Sequence, residues 1–365
     1  MKGNKVDKIF LGIVIALTLG GIIMLVSASL GILAKNETKF YGVLVSQLVF
    51  GLLAGCVVMY IALRIPYKFW REYSLIFFIL SLILTSLVFV PHIGFSHGGA
   101  RRWINVFGIS IQPVEILKVS FIIYFAAWLS WVKNKVRDFK WGIVPLVVFI
   151  ALIAGLLLKQ PDTKSVILMS ISAFAMLFVS GVSWKHIFIM IAVALVGFSI
   201  LVSTTPYLRD RVNTFLHPNH DPSGSSYQIQ QSLIAIGSGG LFGRGLGQSI
   251  QKFNYLPEPQ GDSIFAVIGE ELGFVGCVAL ILLFVAFAFR GFKIAYYAPD
   301  SFSKLFVVGI ITLLTAQAFM NIASTVGVFP LTGVPLVFIS QGGTALMIAL
   351  GAIGIVLHIS QFQKK

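Results

Sequence analysis

Residues 256–273 read LPEPQGDSIFAVIGEELG, and four carboxylates, Glu258, Asp262, Glu270 and Glu271, lead into or sit inside this otherwise apolar run. An ionised group at membrane depth is costly unless it faces a protein interior or a wet cavity and finds a partner. Asp262 stands where the run begins. An Asp there has two readings. It caps the free N–H groups of a helix start, or it acts as a base toward a nearby hydroxyl, being already ionised at neutral pH. Glu270, eight residues on, is expected roughly 12 Å deeper on much the same helix face. Glu115 and Lys118 in QPVEILK have the i,i+3 spacing that places them on one face. They make either a salt bridge or one wall of a polar cavity between the fourth and eighth apolar segments.

Cations stand near these acids in the sequence pattern. Arg101 and Arg102 lie in HGGARRW, Lys164 ends KQPDTK, and Arg209 and Arg211 follow the seventh apolar run. Arginine reads phosphate oxygens through its planar fork; the competing reading is snorkelling toward lipid head groups. With an acid at a cavity mouth, the arginines point to chemistry on a phosphorylated or pyrophosphorylated lipid. No His, Asp and Glu set has metal-ligand spacing. HPNHDP at 217–222 admits a zinc reading, but its Pro, Asn and Asp make a sound turn. Cys56 and Cys277 lie in separate apolar runs, form no disulfide framework, and read as small core residues.

The elements that hold these residues follow from composition. Of 365 residues, 57% are hydrophobic and only 11% charged, too little charge to wet the surface of a soluble chain this long. Apolar runs of about 20 residues make this an all-α polytopic integral membrane protein; the alternating strands of a membrane barrel are missing. The opening MKGNKVDKIFLGIVIALTLGGIIMLVSASLG has an apolar stretch too long for a signal-peptide core and reads as a retained first span. Ten spans are expected, at about 9–32, 43–63, 74–91, 113–132, 142–158, 165–181, 186–203, 263–289, 305–328 and 336–360. Sixteen Lys and Arg fall on the side of the two termini and ten on the other, so both termini are expected in the cytoplasm. The net charge of +14 is thereby explained without a nucleic-acid partner. The chain is expected to form a single membrane domain over 1–365. Its long extracytoplasmic loop, 204–262, is too long for a plain connection, and its glycines and mild polarity suggest an ordered segment at the outer interface.

Five fragments, in order, resemble one family. GGARRWI with QPVEILK is similar to the GARRWI and QPSELxK block of the SEDS proteins (shape, elongation, division and sporulation), the FtsW/RodA group. KQPDTK resembles its QPDLGT. YQIQQSLIAIGSGGLFGRGLGQSIQKFNYLPEPQGDSIFAVIGEELG follows its longest motif, and NIASTVGVFPLTGVPLVFISQGGTA follows its C-terminal signature. The resemblance spans nearly the whole chain. It implies a lipid II polymerase of the bacterial cytoplasmic membrane, with Asp262 as the catalytic carboxylate facing outward. Arg101, Arg102, Glu115, Lys118, Gln160, Asp162, Arg209, Arg211, Lys252, Glu258 and Ser340 are the expected substrate-binding set. Glu270, Glu271 and Asn321 are expected to hold a polar network. A divalent cation, Mg2+ or Mn2+, is compatible with a pyrophosphate leaving group, and no organic cofactor is expected. The implied partners are lipid II, a class B penicillin-binding transpeptidase docking on the eighth and ninth spans, and other division proteins. ARRWI and LPE…FAVIGEELG resemble the division members more than the elongation members. The sequence departs from the family at Gln260, Gly261 and Ser263, where His, Thr and Phe are usual, at Lys164, and at Gln341. A lipid-linked precursor flippase is the competing reading; it would place its main charges nearer the midplane.

Overall fold

A computed structural model of the chain describes residues 5–97, 100–106, 109–217 and 226–363. Its helices longer than two turns, in chain order, are α1 (Lys8–Leu33), α2 (Glu37–Arg64), α3 (Ser74–Ser86), α4 (Pro113–Val132), α5 (Phe139–Leu158), α6 (Thr163–Ser180), α7 (Trp184–Thr204), α8 (Pro206–Leu216), α9 (Tyr227–Ser238), α10 (Ile264–Tyr296), α11 (Ser301–Thr325) and α12 (Gly343–Ser360), with a short helix, Tyr67–Glu72, ahead of α3. Among the described residues, all but α3, α8 and α9 are long and apolar enough to span a bilayer, nine helices in total. The span expected at 74–91 is shorter. α3 ends at Ser86, one 3-10 turn follows to Phe89, and Val90 turns extended. Pro91 explains this, because the residue before a proline is pushed out of the helical region.

Between α3 and α4, where no span is expected, three short antiparallel strands lie side by side: β1 (Gly94–His97), β2 (Ala100–Val106), which carries Arg101 and Arg102, and β3 (Ile109–Ile111). Phe95 pairs with Trp103 and Asn105 with Ser110. Side chains alternate across a strand, so Arg102 shares a face with the buried Ile104, and Arg101 takes the other.

The core gathers on α11 and α12, while α7 lies at the periphery with Ile187 alone buried along its length. Two irregular segments pack against the helices, which hold their backbone groups. The first crosses a break in α10 at Gly273 (φ 67, ψ −166). There Arg244 and Gly245 donate backbone N–H to the carbonyls of Glu270 and Glu271, both at 3.0 Å, while Phe274 and Val275 donate to Gly240 and Leu241. A Cβ at Gly273 would lie 2.3 Å from the backbone nitrogen of Gly243, so two glycine backbones cross here in contact. The second segment is 330–342, whose latter part is expected at the start of the last span. It is not helical: Pro330, Gly333, Pro335 and Gly342 interrupt it, and α12 begins only at Gly343. Leu336, Val337, Phe338 and Ile339 are nonetheless buried. A π-helical stretch of α2, Ser46–Leu53, brings Gln47 to this segment, where its Oε1 accepts the Gly342 N–H at 3.0 Å.

Both termini lie at one end of the bundle. Asp7 caps α1, pairs with Arg290 at 2.8 Å, and donates its N–H to Ser360. α11 starts at the same end, since Tyr67 touches both Asp300 and the His358 ring.

Candidate active site

Asp262 sits at the opposite end, in the turn that leads into α10. Glu258 builds that turn: its carbonyl accepts the N–H groups of Gly261 and Ser263, and its carboxylate accepts from Gln260 at 3.1 Å. The N-cap position belongs to Ser263, one residue after Asp262, so the cap reading of Asp262 gives way. Two buried side chains pin the backbone on either side. Ser340 donates to the Gly261 carbonyl at 2.7 Å, and Asn321 donates to the Asp262 carbonyl at 2.8 Å and to Val334 at 2.7 Å. These tie α10, α11 and the 330–342 segment together around one carboxylate.

That carboxylate faces Gly333. A Cβ at Gly333 would stand 3.1 Å from an Asp262 oxygen and 3.7 and 3.9 Å from the Arg211 guanidinium nitrogens. Lys164 donates to the Gly333 carbonyl, and Arg211 to the carbonyl of Leu331. Asp262 therefore looks across a bare stretch of backbone at two cations. Arg211 also lies over the Tyr207 ring, 4.6 Å from its centre. Burial lowers the Arg211 pKa from its ordinary value, while Tyr207 and Asp262 hold it up; a group starting so high stays charged. Arg102 reaches in from β2, donating to the carbonyls of Gln160 (3.0 Å) and Pro161, and lies within electrostatic range of Lys164 and Arg211. A cleft of about 70 Å³ passes between Arg102, Lys164, Tyr207 and Arg211.

The other expected residues divide. Gln160 is buried and donates to Thr85, holding the turn before α6. Asp162 is fully buried; one oxygen accepts from Ser165 at 2.8 Å and the other has no partner among the described residues. Glu115 and Lys118 pair at 2.8 Å, with Lys118 also donating to Gln317 of α11. Their small cavity is walled by α11 and the 335–342 segment, not by α10 as expected, because Glu270 turns away. Arg209 is exposed and folds back on Ser203, and Arg101 is exposed on the far face of β2, so neither joins the cleft.

Lys252 does not line that cleft. Its ammonium is fully buried against Glu271 at 2.7 Å. Glu271 also accepts from Ser27 at 2.7 Å and from the Gly247 N–H at 3.0 Å, while Glu270 accepts from Ser249 and from the N–H groups of Ile250 and Gln251. Arg244 approaches Glu270 to 3.7 Å. The glycine-rich segment before Asp262 thus folds onto two carboxylates of the next helix.

The donor set at Asp262 does not fit a tightly held divalent cation: its charged neighbours are cations, and among the described residues no three His, Cys, Asp or Glu converge. The HPNHDP segment, His217 apart, lies outside the described residues.

The match to known proteins runs over the same residues. The model of the cell cycle protein family FtsW/RodA/SpoVE matches residues 7–365. The chain belongs to this family. It is 38% identical to the probable peptidoglycan glycosyltransferase FtsW of Geobacter metallireducens, over 99% of this chain and 96% of that protein. It is also 38% identical to the stage V sporulation protein E of Bacillus subtilis, over 100% and 99%. Among solved structures, a chain of a peptidoglycan synthase complex, described for coordinating polymerization and crosslinking, matches with TM-score 0.79 and 27% identity, over 98% of this chain and 99% of that one. The rod shape determining protein RodA of Thermus thermophilus matches with TM-score 0.70 and 26% identity, over 98% of each chain. Family membership and nine apolar helices make this a multi-pass protein of the cytoplasmic membrane.

Three members of the site are missing from the expected binding set: Lys164 reads as an outer cation and a departure from the family pattern, Gly333 only as a glycine between prolines, and Tyr207 carries no signal at all. Their meeting depends on how α6, α8 and the 330–342 segment pack.

Proposed function

We propose that this protein is a peptidoglycan glycosyltransferase that polymerises lipid II at the outer face of the cytoplasmic membrane, in septal wall synthesis. The observation that carries the reading is the Asp262 carboxylate set across Gly333 from Arg211 and Lys164. Asp262 takes the proton of the acceptor's 4-hydroxyl as that oxygen attacks the anomeric carbon of the donor. The bond from that carbon to the pyrophosphate oxygen breaks, and undecaprenyl pyrophosphate leaves. Arg211, Lys164 and Arg102 supply fixed positive charge where negative charge develops. Attack opposite the leaving group inverts an α donor to a β linkage. Ser340 and Asn321 position Asp262 by holding its backbone, and both lipid tails stay in the bilayer.

The reading is supported by the names of two relatives, a probable peptidoglycan glycosyltransferase and a chain of a peptidoglycan synthase complex. A class B penicillin-binding transpeptidase is the proposed partner. Its membrane helix would dock on the free ridge of α10, where Leu282, Val285, Phe289, Phe292 and Tyr296 are exposed at alternating spacings of three and four residues. α11 offers little free surface for it. Crosslinks from this ridge to the partner's helix are the expected result; crosslinks confined to α1 and α2 would refute the docking.

The deciding experiment is polymerisation of purified lipid II, with the cognate transpeptidase present, by wild type and Asp262→Asn. Long glycan from the wild type and none from the folded variant is expected. Equal product from both would end the catalytic assignment. No product from a folded wild-type complex, with lipid translocation in its place, would favour a flippase.

A further inference from the structure

A second cavity, of about 610 Å³, opens at the end of the bundle that holds both termini. It lies between the last turns of α4 and α6 and the first turn of α11. α4 is 20 residues long, so the cavity is roughly 30 Å from the Asp262 end. Lys133, Arg137 and Lys304 line it, with the hydroxyls of Ser130, Ser180 and Ser301. No Asp or Glu lines it. The nearest acids in sequence are committed: Asp138 caps α5, and Asp300 makes a capping box with Ser303. Among the described residues, no carboxylate pairs with any of the three cations.

The tendency of Lys and Arg to collect on the cytoplasmic side accounts for cations at this end. It does not account for three of them converging on one cavity without an acid. Two further observations place the cavity at head-group depth. Trp131 and Trp184 flank it in sequence and are 63% and 64% exposed, as interfacial anchors are. Lys133 is held at φ 50, a conformation that side-chain-bearing residues rarely adopt, where the chain leaves α4 for the 3-10 turn Lys133–Arg137. That turn brings Lys133 and Arg137 to the same opening.

We infer that this cavity binds phosphate groups, most naturally the doubly charged head group of an anionic lipid in the cytoplasmic leaflet. Basic pockets between membrane helices on that side take such head groups, and each cation contributes about fivefold in affinity. Three cations together are worth on the order of 100-fold.

The test uses the full-length protein in nanodiscs. In one arm, phosphatidylcholine discs carry a minor fraction of cardiolipin, and native mass spectrometry counts the lipid retained. In the other, discs of phosphatidylcholine alone are titrated calorimetrically with inorganic pyrophosphate, which distinguishes a soluble phosphate source. Wild type is compared with Lys133→Gln/Arg137→Gln/Lys304→Gln and with a control of equal charge change at the same end, Lys5→Gln/Lys8→Gln/Lys68→Gln. Binding of either probe that falls on the order of 100-fold in the cavity variant and stays unchanged in the control supports the inference. No binding of either probe, or equal loss in both variants, overturns it. If the triple variant does not fold, Lys304→Gln alone is expected to lose about fivefold, and no change in it also overturns the inference.

Discussion

Asp262 and Glu270 stand eight residues apart around the start of α10, yet their surroundings differ in kind. Glu270 and its neighbour Glu271 are fully buried, and hydroxyls, backbone N–H groups and the Lys252 ammonium meet their oxygens. Around Asp262 the polar groups are left open. Asp162 Oδ1, Gln260 Oε1, Asn321 Oδ1 and Thr332 Oγ1 are buried without a partner among the described residues; Lys164 holds a backbone carbonyl, and Arg211 holds a carbonyl and the Tyr207 side chain. Unpaired buried atoms occur beside the glutamates too, at Gln251 Oε1; what separates the two regions is that the Glu270 and Glu271 carboxylates are themselves paired. A satisfied charge network fixes structure; an unsatisfied one is available for chemistry.

The largest expected effect tests that contrast directly. Asp262→Asn should lower lipid II polymerisation by about 10²–10⁴-fold, the usual worth of a general base, while the thermal midpoint in detergent stays close to wild type. On the other side, Lys252→Met leaves Glu271 charged and buried without its cation, which should cost about 3–5 kcal/mol. Thermal unfolding would show it. Adding Glu271→Gln to that variant should recover part of the loss, because removing both charges is far cheaper than removing one. A Lys252→Met protein that melts like wild type would break the comparison.

Gly333→Ala comes next. The residue sits at φ 65, and its new Cβ would press on both Asp262 and Arg211. About 1 kcal/mol of stability should be lost from the backbone conformation. Activity should fall further, about 10–100-fold, because an ångström of misplacement at a reacting group is expensive. Full activity in this variant would show that the gap across Gly333 is not where substrate lies.

Much of this was legible in the sequence. Most of the spans, the shared location of the chain's two ends, the pairing of Glu115 with Lys118, and a buried place for Glu270 and Glu271 follow from hydropathy, charge counting and spacing. What was not legible has local causes. Nothing in HGGARRW shows the alternation of a strand, yet Ala100–Ile104 pairs with Gly94–His97. The apolar character of 336–342 imitates a span because buried irregular backbone needs apolar side chains as much as a helix does. Lys252 is expected among the substrate-binding residues, yet its partner is Glu271, 19 residues ahead on the part of α10 that precedes the break at Gly273. Periodicity sees neighbours one helical turn apart; it does not see the folding of a glycine-rich segment back onto the helix that follows it.

The smallest effect is the sharpest test of the network's role. Ser27 of α1 donates to Glu271 and accepts from Lys252, at 2.7 and 3.2 Å, and it joins the first helix to the glycine-rich segment. Glu271 keeps Lys252 and the Gly247 N–H when that hydroxyl is removed. Ser27→Ala should therefore cost only about 1–2 kcal/mol, the worth of a hydrogen bond to a charged group. Polymerisation per folded molecule should not change, since the chemistry lies across α10 at Asp262. A melting shift with unchanged activity keeps the two charge clusters separate. Normal melting with activity lowered more than about tenfold would mean that the network transmits its state to Asp262, and the division between satisfied and open charge would no longer divide structure from function.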